Sequence, residues 1–281
     1  MKYIASFIAL SRPVNGLITA LSVGVGALCT NGSINTVPLL KAALSAVLIN
    51  GAGNAFNDII DIDIDRVNRP ERPLPSGRIT SREAAVFVSF LTACGSLLAL
   101  ALSPLHVLFA TAIVALLAIY SIYLKNSILW GNILIGTIGA AAFAYGALAA
   151  GSLGRAWIPA TLAFLFHLGR EIIKDIEDIE GDSLRGKGTL PLRWGTRRAA
   201  HLATAIYLLL ILFTLIPFIV GIYAEAYLLC VSLVDLLVLY TLYRLYREKM
   251  DLRHDVLGRL LKFGMLLGLL AVVIGEWRRA L

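Results

Sequence analysis

Charge is what this chain has least of. Only 15% of its 281 residues are Asp, Glu, Lys or Arg, while 58% are hydrophobic. A soluble domain carries about 25% charged residues, so this composition cannot cover a water-facing surface. A mean hydropathy of +0.81 points instead to a polytopic membrane protein of the all-α class. Cysteine is also scarce. Cys29, Cys94 and Cys230 stand alone in apolar stretches, and without CxxC or Cys/His spacing neither a disulfide framework nor a zinc site is expected. The four histidines are scattered, and His167 reads as a packed or interfacial residue. The formal charge of +7 does not imply nucleic acid, because the basic residues sit in short loops between apolar spans without interleaved aromatics.

Long apolar runs are there instead. With about 20 residues needed per span, about nine helices are expected over 4–29, 38–65, 81–102, 104–124, 130–151, 157–182, 197–219, 222–247 and 256–277. Asn31-Gly32-Ser33, Ser103-Pro104, Gly151-Ser152-Leu153-Gly154 and the loop from Gly186 to Gly195 mark several of the breaks. One domain over 1–281 is expected, and the first run reads as a retained helix rather than a signal peptide. Gly16, Gly24, Gly26, Gly131, Gly136, Gly139 and Gly146 read as close helix packing, and Asp235 as paired within the bundle.

Lys and Arg concentrate on one side: Lys2, Arg66, Arg69, Arg72, Arg78, Arg82, Lys125, Arg185, Lys187, Arg193, Arg197, Arg198, Arg244, Arg247, Lys249, Arg253, Arg259 and Lys262. The other side holds little beyond Lys41, Arg155 and the Arg278-Arg279 pair. The positive-inside rule therefore predicts a multi-pass protein of the cell membrane with its polar site on the cytoplasmic side.

Two carboxylate-rich helix ends lie on that side. In the second span Asn57, Asp61 and Asp65 recur at i, i+4 and i+8 with Asp58 alongside; in the sixth, Asp175, Asp178 and Asp182 recur at i, i+3 and i+7, joined by Glu171. At about 100° per residue each set shares one helix face. Asp63, Glu177 and Glu180 are expected to look away, and Lys174 to flank the second set. Carboxylates near lipid are costly and need a partner or a task. The all-oxygen set Asn57, Asp58, Asp61, Asp65, Asp175, Asp178 and Asp182 suits a hard cation such as Mg²⁺, which shares carboxylates with substrate phosphates. The loop from Arg66 to Arg78 is stiffened by Pro70, Pro73 and Pro75. Its Arg69 and Arg72 have the fork geometry that matches phosphate oxygens.

Asn57-Asp58-x-x-Asp61-x-x-x-Asp65, then Arg69-Pro70-x-Arg72-Pro73-Leu74-Pro75-Ser76-Gly77, then Lys174-Asp175-x-x-Asp178-x-x-Gly181-Asp182 resembles the UbiA superfamily of intramembrane prenyltransferases. Arg12-Pro13-x-Asn15 and Lys125 are similar to further family positions. The resemblance covers essentially the whole chain. It implies a ring of about nine transmembrane helices around a polar pocket, and Mg²⁺-dependent transfer of an isoprenoid chain from its diphosphate. The second motif, with Gly169-Arg170-Glu171 before it, is most similar to that of the archaeal digeranylgeranylglyceryl phosphate synthases. Those enzymes join a geranylgeranyl chain to geranylgeranylglyceryl phosphate in ether-lipid synthesis. An aromatic acceptor of the 4-hydroxybenzoate, homogentisate or chlorophyllide type is the alternative.

The implied roles are specific. Asp61, Asp65, Asp178 and Asp182 hold the metal, with Asn57 assisting. Arg69, Arg72 and Lys125 bind the diphosphate, and Asp175 or the diphosphate itself takes the acceptor proton. Arg12 and Lys174 are candidates for the acceptor phosphate, with Asn15, Tyr120 and Ser121 lining the pocket. The partners are then a prenyl diphosphate, a phosphorylated lipid acceptor and membrane lipids. Ion-coupled transport is the competing class of function, but carboxylates at helix ends beside arginine loops suit a phosphorylated substrate better than a midplane ion path.

Overall fold

The computed structural model describes residues 2–30, 34–183, 188–247 and 256–280, and among them the regular structure is helical, with no strand. The loop residues Arg185, Lys187, Lys249, Arg253 and His254 lie outside the described residues. In chain order the helices are α1 (Lys2–Ser11), α2 (Pro13–Leu28), α3 (Thr36–Ile60), α4 (Ile62–Asn68), α5 (Ser81–Leu100), α6 (Pro104–Ile122), α7 (Trp130–Ala149), α8 (Trp157–Glu177), α9 (Ile179–Ser183), α10 (Leu190–Trp194), α11 (Thr196–Ile219), α12 (Glu225–Arg247) and α13 (Val256–Ala280). Local sequence explains several starts. Asn35 caps α3, Ser103 caps α6 ahead of Pro104, and Thr80 with Glu83 forms a capping box on α5.

Three of the expected spans are broken near their polar ends. Arg12 adopts a left-handed conformation (φ 53°) before Pro13, and α1 meets α2 at 45°; a residue preceding proline is kept out of the right-handed helical region. The second expected span divides at Asp61 and the sixth at Asp178. These two residues share one backbone geometry, φ −93° with ψ 6° at Asp61 and φ −93° with ψ 7° at Asp178. At each, a single residue leaves the helix before α4 or α9 continues, and α4 packs on α9.

Nine long helices close a ring among the described residues: α2, α3, α5, α6, α7, α8, α11, α12 and α13 touch in that order, and α13 returns to α2. Seven of them are long and apolar enough to cross a membrane, and the bent α1–α2 pair adds an eighth span. The expected count of nine includes α8, which carries His167, Arg170, Glu171 and Lys174 on its cavity side. Its opposite face buries Leu165, Leu168, Ile172, Ile173 and Ile176 against α11, α12 and α13. Outward-facing residues such as Phe90, Leu100, Ile219 and Leu229 are apolar and exposed, as lipid requires.

The far ends of α8 and α13 are tied by Arg155, whose guanidinium meets Glu276 at 2.9 Å, while the Tyr223 hydroxyl donates to the same carboxylate at 3.0 Å. Asp235 accepts from the Thr214 hydroxyl at 3.0 Å, the pairing expected of it. At the α2–α7 crossing, a Cβ added to Gly26 would lie 2.0 Å from the Phe143 carbonyl oxygen, and one on Gly146 1.9 Å from that of Val23. Gly24 departs from the packing expectation, since a Cβ there meets nothing within 4 Å. Gly146→Ala is therefore expected to destabilise the protein by about 1–3 kcal/mol through overpacking. Gly24→Ala should change stability by no more than about 1 kcal/mol. Thermal unfolding of the two variants in the same detergent, compared with the parent, measures the contrast.

Candidate active site

Where α4 and α9 meet, the ring encloses a small chamber of about 50 Å³ lined by Asn57, Asp61, Asp65, Asp175, Asp178 and Asp182 together with Arg12, Arg69, Arg72, Tyr120, Lys125 and Lys174. Two motifs more than a hundred residues apart thus face one space. Helical periodicity brings each set to one side, and α4 and α9 pack together just beyond the breaks at Asp61 and Asp178.

Each acidic side chain of the first motif is met by a cation. Arg72 Nη1 lies 2.6 Å from Asp65 Oδ2 and 3.3 Å from Asp58 Oδ1, and Arg12 also donates to Asp58. Lys125 donates to Asp61, and at 3.2 Å to Asn57 Oδ1, while Asn57 Nδ2 donates to Asp61 at 2.9 Å. Across the chamber Arg69 Nη2 reaches Asp178 at 3.3 Å, and Asn132 Nδ2 donates to Asp175 at 2.8 Å. Burial pushes the Asp65 carboxyl above its usual range, and the Arg72 guanidinium opposes that rise. Asp58 lines neither this chamber nor the larger cavity beside it; its carboxylate is buried and serves Arg12 and Arg72.

The loop after α4 is held by its apolar residues. Leu74 and Ile79 are buried against Leu10, Ala55 and Ala84, and the Ser76 amide and hydroxyl both donate to the Arg72 carbonyl. Arg69 and Arg72 are therefore carried on an anchored turn. Arg66 and Arg78 are exposed and bonded elsewhere, to Asp63 and to Ser76 with the Glu71 carbonyl. Asp63 is turned outward, as its helical position predicts. Glu180 is exposed as well. Glu177 corrects its expectation: it faces the larger cavity, and its Oε1 accepts from the Leu257 amide at 3.1 Å. The first turn of α13 approaches α8 there, which a helical wheel of α8 alone does not contain.

A larger cavity of about 340 Å³ adjoins the chamber, and Arg12, Asn57, Arg69, Arg72, Tyr120 and Lys174 line both. Asn15 and Ser121 are in its wall, as are Ile18, Ile49, Phe109, Ile113, Leu117 and Ile138. The six shared residues join the two spaces, and the wall of the larger one mixes polar and apolar side chains. Several of its polar residues were not singled out from sequence as site residues, among them Asn50, Asn54, Arg170, Arg259 and Lys262. Asn50, Asn54 and Asn57 form an i, i+4, i+7 row on α3, with Asn54 donating to Asn50 at 2.7 Å and Asn50 to Thr19 at 2.9 Å. Extending the Asn57 periodicity backwards would have found them. Arg259 and Lys262 were counted only as topogenic charge.

The chamber fits a hard cation by donor chemistry. Its carboxylate and amide oxygens include no soft ligand, and Mg²⁺ prefers oxygen. Among the described residues no three acidic, histidine or cysteine side chains converge closely enough to hold an ion by themselves. Asp61, Asp65 and Asp178 each lean toward a cation instead, so a metal here would be shared with an incoming oxygen-rich anion.

The UbiA prenyltransferase family profile matches residues 17–263. Digeranylgeranylglyceryl phosphate synthase of Methanosarcina mazei is 35% identical over 280 residues, covering 98% of this chain and 96% of that one. A solved structure of digeranylgeranylglyceryl phosphate synthase superposes with a TM-score of 0.77 at 29% identity, over 99% of this chain and 100% of that one. A UbiA homologue from Archaeoglobus fulgidus bound to GPP and Mg²⁺ shares the fold, with a TM-score of 0.67 at 20% identity over 98% of this chain and 100% of that one. Profile, relatives and fold agree with the paired acidic motifs: this chain belongs to the UbiA prenyltransferase family.

Proposed function

We propose that this membrane enzyme transfers a geranylgeranyl group from its diphosphate to the free hydroxyl of geranylgeranylglyceryl phosphate. Convergence of both acidic motifs and three loop cations on one chamber beside an apolar cavity carries the reading. The near-full-length similarity to digeranylgeranylglyceryl phosphate synthase selects the acceptor. The Lys and Arg excess around the chamber supports a cytoplasmic-facing site.

An allylic diphosphate ionises once the charge on its departing oxygens is neutralised. Asn57, Asp61, Asp65, Asp178 and Asp182 would hold Mg²⁺, with Asp175 at the margin of the set; Asp58, expected there from sequence, lies outside the chamber and positions Arg12 and Arg72. Bound there with the diphosphate, the ion supplies Lewis-acid stabilisation of the leaving group, as the Archaeoglobus fulgidus homologue bound to GPP and Mg²⁺ supports. Arg72, Arg69 and Lys125 exchange a carboxylate partner for phosphate oxygens and stabilise the charge that develops on them. The resting ion pairs keep these cations placed and their carboxylates neutralised before substrate arrives. Ile18, Phe109, Ile113 and Leu117 exclude water from the allylic cation and hold the chain. The acceptor hydroxyl attacks the cationic carbon, and its proton passes to Asp175, which Asn132 orients, or to the released diphosphate.

Asp61→Ala and Asp178→Ala are expected to lower turnover at least about a thousandfold, the scale of losing a principal electrostatic stabiliser. Asp63→Asn should retain most activity. Product formation in detergent, beside a folding check, measures this, and near-parental turnover of either Ala variant would remove it from the metal set. Arg72→Ala is expected to raise KM for geranylgeranyl diphosphate more than KM for the acceptor, read by varying each substrate in turn. An effect confined to the acceptor would move Arg72 to the other pocket. With geranylgeranyl diphosphate and Mg²⁺, the protein should alkylate geranylgeranylglyceryl phosphate at its hydroxyl and leave 4-hydroxybenzoate unmodified. Carbon-prenylated aromatic product without ether product would overturn the acceptor assignment and keep the prenyltransferase one.

A further inference from the structure

Four cations in the larger cavity are not engaged by the carboxylates of the two motifs. Arg170 and Lys174, one turn apart on α8, share the single carboxylate of Glu171, the second at 3.6 Å. Arg170 Nε is buried with no hydrogen-bond partner among the described residues. Facing them on α13 are Arg259 and Lys262, three residues apart and on the cavity wall, with no hydrogen bond or ion pair among the described residues. Lys262 lies within electrostatic reach of Arg170, Arg12 and Lys174, with Glu171 the one carboxylate acting on it among the described residues.

Arg259 is exposed, whereas Arg170, Lys174 and Lys262 are half-buried, and like charges gathered there repel one another in a medium that screens them less than water does. Glu171 and Glu177 are the cavity's own acidic groups here, and one Glu177 oxygen is held by the Leu257 amide. Arg12 is already engaged by Asp58. The remaining cations lack a counter-charge of their own, and a buried guanidinium Nε lacks an acceptor. A phosphate monoester supplies both, with close to two negative charges and three acceptor oxygens at neutral pH. A benzoate carboxylate brings one charge and two oxygens, so it would leave most of the cluster uncompensated.

We propose that Arg170, Lys174, Arg259 and Lys262 form a phosphate-monoester subsite for the acceptor, separate from the leaving-group cations Arg69, Arg72 and Lys125. The proposal rests on the glycerophosphate reading of the function. Lys174 lines both spaces, so the subsite borders the chamber. In a glycerol backbone the free hydroxyl is at most two carbon–carbon bonds from the phosphate-bearing carbon. Phosphate held between α8 and α13 thereby keeps that hydroxyl next to the chamber where the allylic carbon ionises. Of the two candidates that sequence offered for this anion, Lys174 belongs to the subsite, while Arg12 lines both spaces and is paired with Asp58.

The test uses Lys262→Met, which keeps an unbranched apolar stem in its span, Arg259→Gln, and Lys262→Arg as the charge-preserving control. Binding of geranylgeranylglyceryl phosphate is measured by calorimetry, and turnover with that acceptor and with phosphate-free geranylgeranylglycerol. The expected result is at least about tenfold weaker binding of the phosphorylated acceptor by Lys262→Met and Arg259→Gln, about 1.4 kcal/mol. KM for geranylgeranyl diphosphate should move less than about twofold, and Lys262→Arg should restore binding. With geranylgeranylglycerol, parent and variants should perform alike. Unchanged binding in both neutral variants, or equal losses on both acceptors, overturns the subsite. A larger rise in KM for the diphosphate also overturns it, assigning these cations to the leaving group. Parent protein that binds the phosphorylated acceptor through these residues but forms no ether product defeats the functional reading and leaves the subsite standing.

Discussion

Carboxylates at the end of a lipid-embedded bundle persist only where opposite charge meets them. That constraint organises the polar end of this protein. Asp58 and Asp65 close on Arg72, Asp61 on Lys125, and Asp178 on Arg69. Two of these contacts join elements far apart in sequence: Arg69–Asp178 ties the loop after α4 to the α8–α9 break, and Lys125–Asp61 ties the turn after α6 to the α3–α4 break. Removing one member of such a pair strands a buried charge at a cost of about 3–5 kcal/mol. The contacts that place the reactive groups therefore also hold the mouth of the ring together.

The same pairs account for a site that binds a charged substrate without standing empty of charge. Cations poised against carboxylates are oriented before binding, and exchange of partners costs less than desolvating a free guanidinium or ammonium group. The bend at Asp61 is repeated at Asp178 with the same dihedral angles. In each case the helix is interrupted for one residue, and the acidic residue beyond the break, Asp65 or Asp182, lines the shared chamber. Two helices entering from different sides of the ring thus present matching faces to one small volume.

Charge is distributed unevenly within the cavity. Cations near the acidic motifs are matched by carboxylates, whereas between α8 and α13 Arg170 and Lys174 share Glu171 alone and Arg259 and Lys262 make no ion pair among the described residues. Because the ends of α8 and α13 are clamped at the far side by Arg155, Glu276 and Tyr223, the spacing of the two helices at the polar end is held by more than its own repelling charges. Apolar walls then continue from both charged regions, as two substrates with polar heads and hydrocarbon chains require.

Much of this was legible in the linear sequence. Composition and run length set the membrane class and the long helices, because apolar length must match bilayer thickness. Helical pitch put Asn57, Asp61 and Asp65 on one face and turned Asp63 away, because that periodicity is local. Proline and apolar residues together marked the loop that holds Arg69 and Arg72. Tertiary structure alone decided which faces meet. It brought α13 against α8, which turned Arg259 and Lys262 from apparent topogenic charge into cavity wall and gave Glu177 a partner at Leu257. It also committed Asp58 to Arg12 and Arg72, and opened the helices at Asp61 and Asp178. No periodicity encodes these outcomes, since each depends on the charge and packing that a distant helix presents across the ring.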